Sequence, residues 1–223
     1  QLELLKAIQA AGKPVVAVIV NGPPLNEPWV SETLPAILYT MEPGMYGGQA
    51  VAEILFGQVN PSGRLPYTIP KTAGHIPQFY YMKHSRFWTG YGLGSGRADD
   101  QPAWPFGHGL SYTTFAYSNL KVPAELPVGA DIPVSVTVTN TGKRAGDHSV
   151  LLFASDVVAS VAPPLKELKG FAKIHLEPGE SRQVDFTIRN RDLAIWNAEM
   201  KQVVEPGEFT LAIGDQKSSC WLR

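Results

Sequence analysis

With 223 residues, 44% of them hydrophobic, the chain can bury one large core or two ordinary ones. Lys and Arg total 19 against 20 Asp and Glu, giving a net charge of −1 without a basic cluster, which excludes the electrostatic footprint that nucleic acid requires. The aliphatic run Val15 to Val20 is far short of the roughly 20 apolar residues that cross a bilayer, so no membrane span is predicted, and the single Cys220 has no partner for an internal disulfide.

Gln1 to Gly12 (QLELLKAIQAAG) has the pattern of an amphipathic helix entered part-way, with no initiator Met and no N-cap. It predicts that the chain is the C-terminal part of something larger. Val15 to Val20 follows as a strand apolar on both faces, and Ala36 to Tyr39 is a second short strand. Between them Ser31 and Glu32 read as a helix start, with the carboxylate in the first turn. Gly48 to Phe56 is helical and closes at Gly57. Continuously apolar strands between helices predict an α/β unit whose parallel sheet is covered on both faces.

From Asn60 to about Tyr117 the chain is rich in Gly, Pro and aromatic residues, as functional loops and interface arms are. Within it Asn60-Pro61-Ser62-Gly63-Arg64-Leu65-Pro66 reads as a tight structural turn. Gly63 is expected at positive φ, with Arg64 bracing the turn through a carboxylate or a carbonyl.

Beyond about Ala116 the period changes to two. Val134, Val136 and Val138 alternate with polar residues, as do Val184, Phe186 and Ile188, then Phe209, Leu211 and Ile213. Asn140-Thr141-Gly142 and two copies of Glu-Pro-Gly-Glu, at 177–180 and 205–208, supply turns. About seven short strands in this pattern predict an antiparallel β-sandwich of immunoglobulin or fibronectin type III character. The fold class is therefore α/β plus all-β, with a division expected between residues 1–116 and 117–223.

Self-contained chemistry is hard to find. The five histidines (75, 84, 108, 148 and 175) lack metal-ligand spacing, so neither a metal nor a cofactor is expected. The run Gly90 to Gly96 neither follows a clear strand nor opens a helix, so it reads as a loop rather than a phosphate cradle. Glycoside hydrolysis needs two carboxylates flanking the bond to be cut. Glu53 reads as a solvated helix residue, whereas Glu42 falls just beyond the second strand, at the edge where open α/β sheets expose binding loops. A structural or rim role suits Glu42 better than catalysis. Tyr80, Tyr81, His84, Arg86 and Trp88 form an aromatic and polar arm able to stack on a sugar ring and hold its hydroxyls. The alternative is that these rings pack the arm onto its own domain or onto a second copy in a homodimer.

The succession VVAVIVNGPPL, PAILYTMEPGMYGGQAVAEILFGQVNPSGRLPYTIP, PAWPFGHGLSYTTFAYSNL, VTNTGKRAG, LKELKGF and VVEPGEFTLAIG resembles the C-terminal portion of glycoside hydrolase family 3, the β-glucosidases and β-xylosidases. The resemblance covers essentially the whole chain. It implies the second half of an α/β sandwich domain followed by a fibronectin type III-like domain, in an enzyme that also has a barrel. In such enzymes the nucleophilic Asp comes from the barrel and the acid/base Glu from an early loop of the α/β domain. Both would precede Gln1, so no residue here inherits a catalytic role. The implied function is the C-terminal part of a retaining, exo-acting β-glycosidase that hydrolyses terminal β-glucosyl or β-xylosyl residues, inactive without its upstream barrel and N-terminal α/β portion. Glu42, Tyr81, His84, Arg86 and Trp88 are its candidate substrate contacts. The segment HIPQFYYMKHSR resembles the arm of periplasmic-type members and points to a periplasmic or extracellular location. A non-catalytic carbohydrate-binding or adhesion module is the alternative, which accounts for the sandwich but not for the α/β portion.

Overall fold

The computed structural model describes residues 1–22, 27–83 and 101–223. Helix α1 (Leu2–Ala10) leads into strand β1 (Val16–Ile19), helix α2 (Pro28–Thr33), strand β2 (Ala36–Tyr39) and helix α3 (Gly47–Leu55). β1 and β2 pair in parallel, Val16 with Ala36 through Ile19 with Tyr39. Gly57, at φ 73°, closes α3 as the left-handed residue that ends so many helices.

One expectation changes here. Helix α2 begins at Pro28, whose fixed φ suits a first helical position, so Ser31 lies inside it and donates its hydroxyl back to the Pro28 carbonyl at 2.9 Å. Glu32 is therefore near the helix end, not its start. Among the described residues one face of the sheet is covered: Ala17, Val30 and Leu34 are buried with Leu2, Leu5, Trp29 and Ile37 around them, while Val16 and Val18 on the other face are 46% and 37% exposed.

The remainder is a β-sandwich. One sheet runs β3 (Phe115–Lys121), β5 (Ile132–Asn140), β8 (Ser181–Ile188). The other runs β4 (Glu125–Leu126), β12 (Gln216–Leu222), β11 (Gly207–Ile213), β6 (Gly146–Asp156), β7 (Glu167–Leu176). A separate ribbon joins β9 (Ile195–Trp196) to β10 (Gln202–Val203). Period two in the sequence becomes strict alternation in β5 and β6, whose inward Val134, Val136, Val138, Val150 and Leu152 meet Leu176, Leu211 and Ile213 in one core.

At the end of β5, Asn140 is fully buried and completely satisfied. Its side-chain oxygen accepts from the Thr113 hydroxyl (2.8 Å) and the Gly142 N–H (3.1 Å), and its amide donates to the carbonyls of Arg144 (2.8 Å) and Leu176 (3.0 Å). The first Glu-Pro-Gly-Glu copy is a turn with Gly179 at φ 79°, its Glu180 carboxylate accepting the Glu177 N–H at 2.9 Å.

The outward face of β6 is covered by the loops that follow α3. Ser149 donates to the Ser62 carbonyl (2.9 Å), Arg144 to the Gly57 carbonyl (2.6 Å), and Phe153 meets Tyr80 and Phe106 edge-on. The two halves of the chain thus share a packed junction rather than a linker.

Candidate functional site at the carboxyl ends of the parallel strands

The carboxyl edge of β1 and β2 is tied together by Thr40, whose N–H and hydroxyl both donate to the Ile19 carbonyl, at 3.0 and 3.1 Å. The next residue, Met41, takes φ 54°, a left-handed conformation that an unbranched non-glycine residue adopts only where its surroundings hold it. The phenol of Tyr67 reaches the side chain of this residue. It donates to Met41 Sδ at 2.8 Å and faces the Gly22 carbonyl at 3.5 Å, linking the loops that follow both strands.

This reversal turns Glu42 outward. Its side chain is exposed, yet one carboxylate oxygen lies against Gly22, where a Cβ would come within 2.9 Å of it. Behind the edge, Trp104 meets the Tyr39 ring edge-on (5.9 Å, 71°) and is held by reciprocal backbone hydrogen bonds with Ile69. Burial, and secondarily the neighbouring Tyr67, pushes the Tyr39 phenol up to about 12; burial also raises Tyr67. Both phenols stay protonated and able to donate at any physiological pH. The edge therefore combines an exposed carboxylate acceptor with an indole and two phenols, the Tyr67 hydroxyl being engaged by Met41.

The aromatic arm divides by role. Tyr80 is packing: it stacks on Phe106 (4.1 Å, 17°) and meets Phe153, and the arm is pinned to the sandwich by Leu165 N–H donating to the Met82 carbonyl at 2.8 Å. Tyr81 turns away, edge-on to Tyr80 and stacked on Phe79 (5.5 Å, 19°), with half of its surface open. No hydrogen bond or ring contact among the described residues joins Tyr81 to Glu42. His84, Arg86, Trp88 and the glycine run 90–96 lie outside the described residues.

The turn at Asn60 to Pro66 is structural, though not through Gly63. Gly63 has no positive φ and open space where a Cβ would stand. Arg64 donates to the Gly63 carbonyl (2.9 Å), as one expectation had it, and to His148 Nδ1 (3.2 Å) of the sandwich. Because Arg64 can only donate, Nδ1 accepts and the neutral ring carries its proton on Nε2, which donates to the Tyr117 oxygen at 2.6 Å. Tyr67, Met41 and His148 were not singled out as site residues. Tyr67 stands in the quoted motif LPYTIP, but its reach to Met41 becomes visible only in three dimensions.

Among the described residues no group of three or more His, Cys, Asp or Glu gathers to hold a metal.

Residues 1–112 match the family model described as glycosyl hydrolase family 3 C-terminal domain, and residues 148–217 match a fibronectin type III-like domain. A β-xylosidase of Formosa agariphila is 44% identical over 216 residues, 96% of this chain and 30% of that protein. A periplasmic β-glucosidase of Salmonella typhimurium is 41% identical over 225 residues, 96% of this chain and 29% of its own length. Among solved structures, a β-glucosidase from Erythrobacter marinus superposes with TM-score 0.92 at 42% identity, and one from Listeria innocua in complex with glucose with TM-score 0.90 at 32%; each aligns with 99% of this chain, which spans 30% and 32% of theirs. The chain spans less than a third of the length of these relatives.

Proposed function

We propose, because the chain belongs to glycoside hydrolase family 3, that it forms the C-terminal part of a retaining, exo-acting β-glycosidase acting on terminal β-glucosyl or β-xylosyl residues. The observation that carries this reading is the match of nearly the whole chain to β-glucosidases and β-xylosidases several times its length. A retaining mechanism needs two carboxyl groups roughly 5–5.5 Å apart, one as nucleophile and one as acid/base. In this reading a barrel and the first part of the α/β domain supply both, and the chain alone does not turn over substrate.

Its own contribution is to the pocket rim. Glu42 accepts a sugar hydroxyl at the strand ends, and Tyr81 offers a ring face to a more distant part of the substrate, with His84, Arg86 and Trp88 on the same arm. A periplasmic or extracellular location is supported by the Salmonella relative's name, and the arm is where a second copy would contribute in a homodimer. We divide the chain ahead of β3, near residue 110, a few residues before the division expected between 116 and 117, because β3 begins at Phe115.

The test compares the purified 223-residue chain with the longer enzyme on aryl β-glucosides and β-xylosides. The chain alone is expected to be inactive, and Glu42→Gln in the longer enzyme to raise KM more than it lowers kcat. Turnover by the chain alone that disappears on Glu42→Gln would refute the division of labour.

A further inference from the structure

The β-sandwich reaches the strand-end edge through a continuous set of contacts. His148 stacks on Phe115 of β3 (4.1 Å, 26°) and accepts a hydrogen bond from Arg64, which lies in the loop after α3. The same loop is fixed by Ser149 on the Ser62 carbonyl and by the Asn60 side chain, which accepts from the Ser111 hydroxyl (2.9 Å) and the Tyr112 N–H (2.8 Å). One residue past Arg64, Leu65 exchanges backbone hydrogen bonds with the 107–108 turn: its N–H donates to the His108 carbonyl (2.9 Å) and its carbonyl accepts from Gly107 (2.8 Å). Two residues further, Tyr67 reaches Met41 and faces Gly22. Residues 60–64 are thus tied to the sandwich, and Tyr67 reaches the edge that presents Glu42.

We propose that His148, although it belongs to the β-sandwich, is a positioning residue for the strand-end edge, acting through Arg64 and Tyr67 on the left-handed turn at Met41. The fibronectin-like domain then sets the geometry of the Glu42 loop as well as bracing the fold. Tyr67 is well placed for this, since its phenol reaches both strand-end loops and its backbone is two residues from a segment with hydrogen bonds on both sides. Only the kinetic part of the test rests on the reading of Glu42 as a substrate contact.

The experiment is hydrogen exchange followed by mass spectrometry on the longer enzyme, reading peptides that cover 39–46 and 60–69, together with KM and kcat. His148→Phe keeps the ring on Phe115 but removes the acceptor for Arg64, whereas His148→Gln can restore an acceptor. Tyr67→Phe removes the far contact without touching the sandwich. His148→Phe should speed exchange in both peptides, and Tyr67→Phe in 39–46 alone. His148→Gln should fall between His148→Phe and the parent, a rescue that a merely structural role would not give. KM should rise roughly three- to tenfold in His148→Phe and Tyr67→Phe, with kcat less affected. Exchange in 39–46 that stays at the parental rate in His148→Phe overturns the proposal, as does parental exchange in Tyr67→Phe should the first variant fail to fold. If exchange rises while KM does not move, the coupling stands and the substrate-rim reading fails.

Discussion

Gly109 presents its bare Cα to the carbonyl oxygen of Gly63: a methyl built on it would stand 2.5 Å from that oxygen and 2.9 Å from an Arg64 nitrogen. The glycine that the turn needs is therefore the one that approaches it from the neighbouring loop. A methyl there must displace backbone, and overpacking of this kind costs about 1–3 kcal/mol. Gly109→Ala should lower the unfolding free energy obtained from a urea titration by that amount, whereas Gly63→Ala, with open space and no positive φ, should stay within about 0.5 kcal/mol of the parent. Equal losses at the two positions would show that the turn is strained at Gly63 after all.

Asn140 gives a second contrast. Truncation to Ala removes at once the partner of the Arg144 and Leu176 carbonyls, the Thr113 hydroxyl and the Gly142 N–H; the Leu176 and Thr113 bonds are buried, and a buried polar group left unpaired costs about 1–3 kcal/mol. Asn140→Asp keeps the acceptor for Thr113 and Gly142 but turns a second oxygen, in place of the amide donors, toward the Arg144 and Leu176 carbonyls. Both variants should unfold well below the parent in a thermal melt, Asp no better than Ala. A near-parental Asp variant would mean that the two carbonyls do not depend on the amide.

His148 ties stability to pH. Burial, reinforced by the Arg64 guanidinium, lowers its pKa to about 4. The folded state therefore binds fewer protons than the unfolded chain between about pH 4 and 6.5, so stability rises with pH across that window and is lost as pH falls through it. The loss from this group is about 3 kcal/mol at most. His108, lowered by burial and by the same guanidinium, adds in the same direction; Glu180 and Glu205, lowered by their hydrogen bonds, add to the loss at still lower pH. His175 opposes it, its pKa being raised first by the Asp147 hydrogen bond, so its contribution fades as pH rises. His148→Phe should flatten the dependence of the urea midpoint between pH 6.5 and 4.5. An unchanged slope would show that His148 titrates as an ordinary histidine.

The parts that were legible in the sequence are those where a residue answers to its near neighbours. Alternation along β5 and β8, the helix stop at Gly57 and the turn at Gly179 all follow from side-chain period or from φ. Helix α2 was misplaced because Ser31 resembles a cap, while the true start is set by Pro28. Met41 gives no local sign of a left-handed turn, and the phenol that meets its side chain lies 26 positions away. The partners Arg64 and His148, 84 positions apart, belong to halves with different periods, and neither pattern announces the other. Glu42 was found at the strand ends because the parallel pairing of β1 and β2 could be read from their composition, whereas Tyr67 could not be placed without the loop that carries it.

The last prediction concerns the division of the chain. Among the described residues the sandwich core draws its buried side chains from positions 132 to 222, but β3 starts at Phe115 and the Thr113 hydroxyl binds Asn140. A cut between 116 and 117 would split β3, so the fragment to express is 111–223. It should be soluble and unfold cooperatively, though below the intact chain, because Leu151 and Phe153 on β6 lose the cover of Gly107, Phe106 and Tyr80. Residues 1–110 should aggregate: Ala17, Val30 and Leu34 are a small buried cluster beside exposed Val16, Val18, Met45 and Phe56. Light scattering and urea unfolding of the two fragments decide the matter. A soluble, cooperative 1–110 beside an aggregating 111–223 would mean that the sandwich depends on the α/β half for its fold, and that the junction at Arg64 and His148 is part of one core rather than a contact between two.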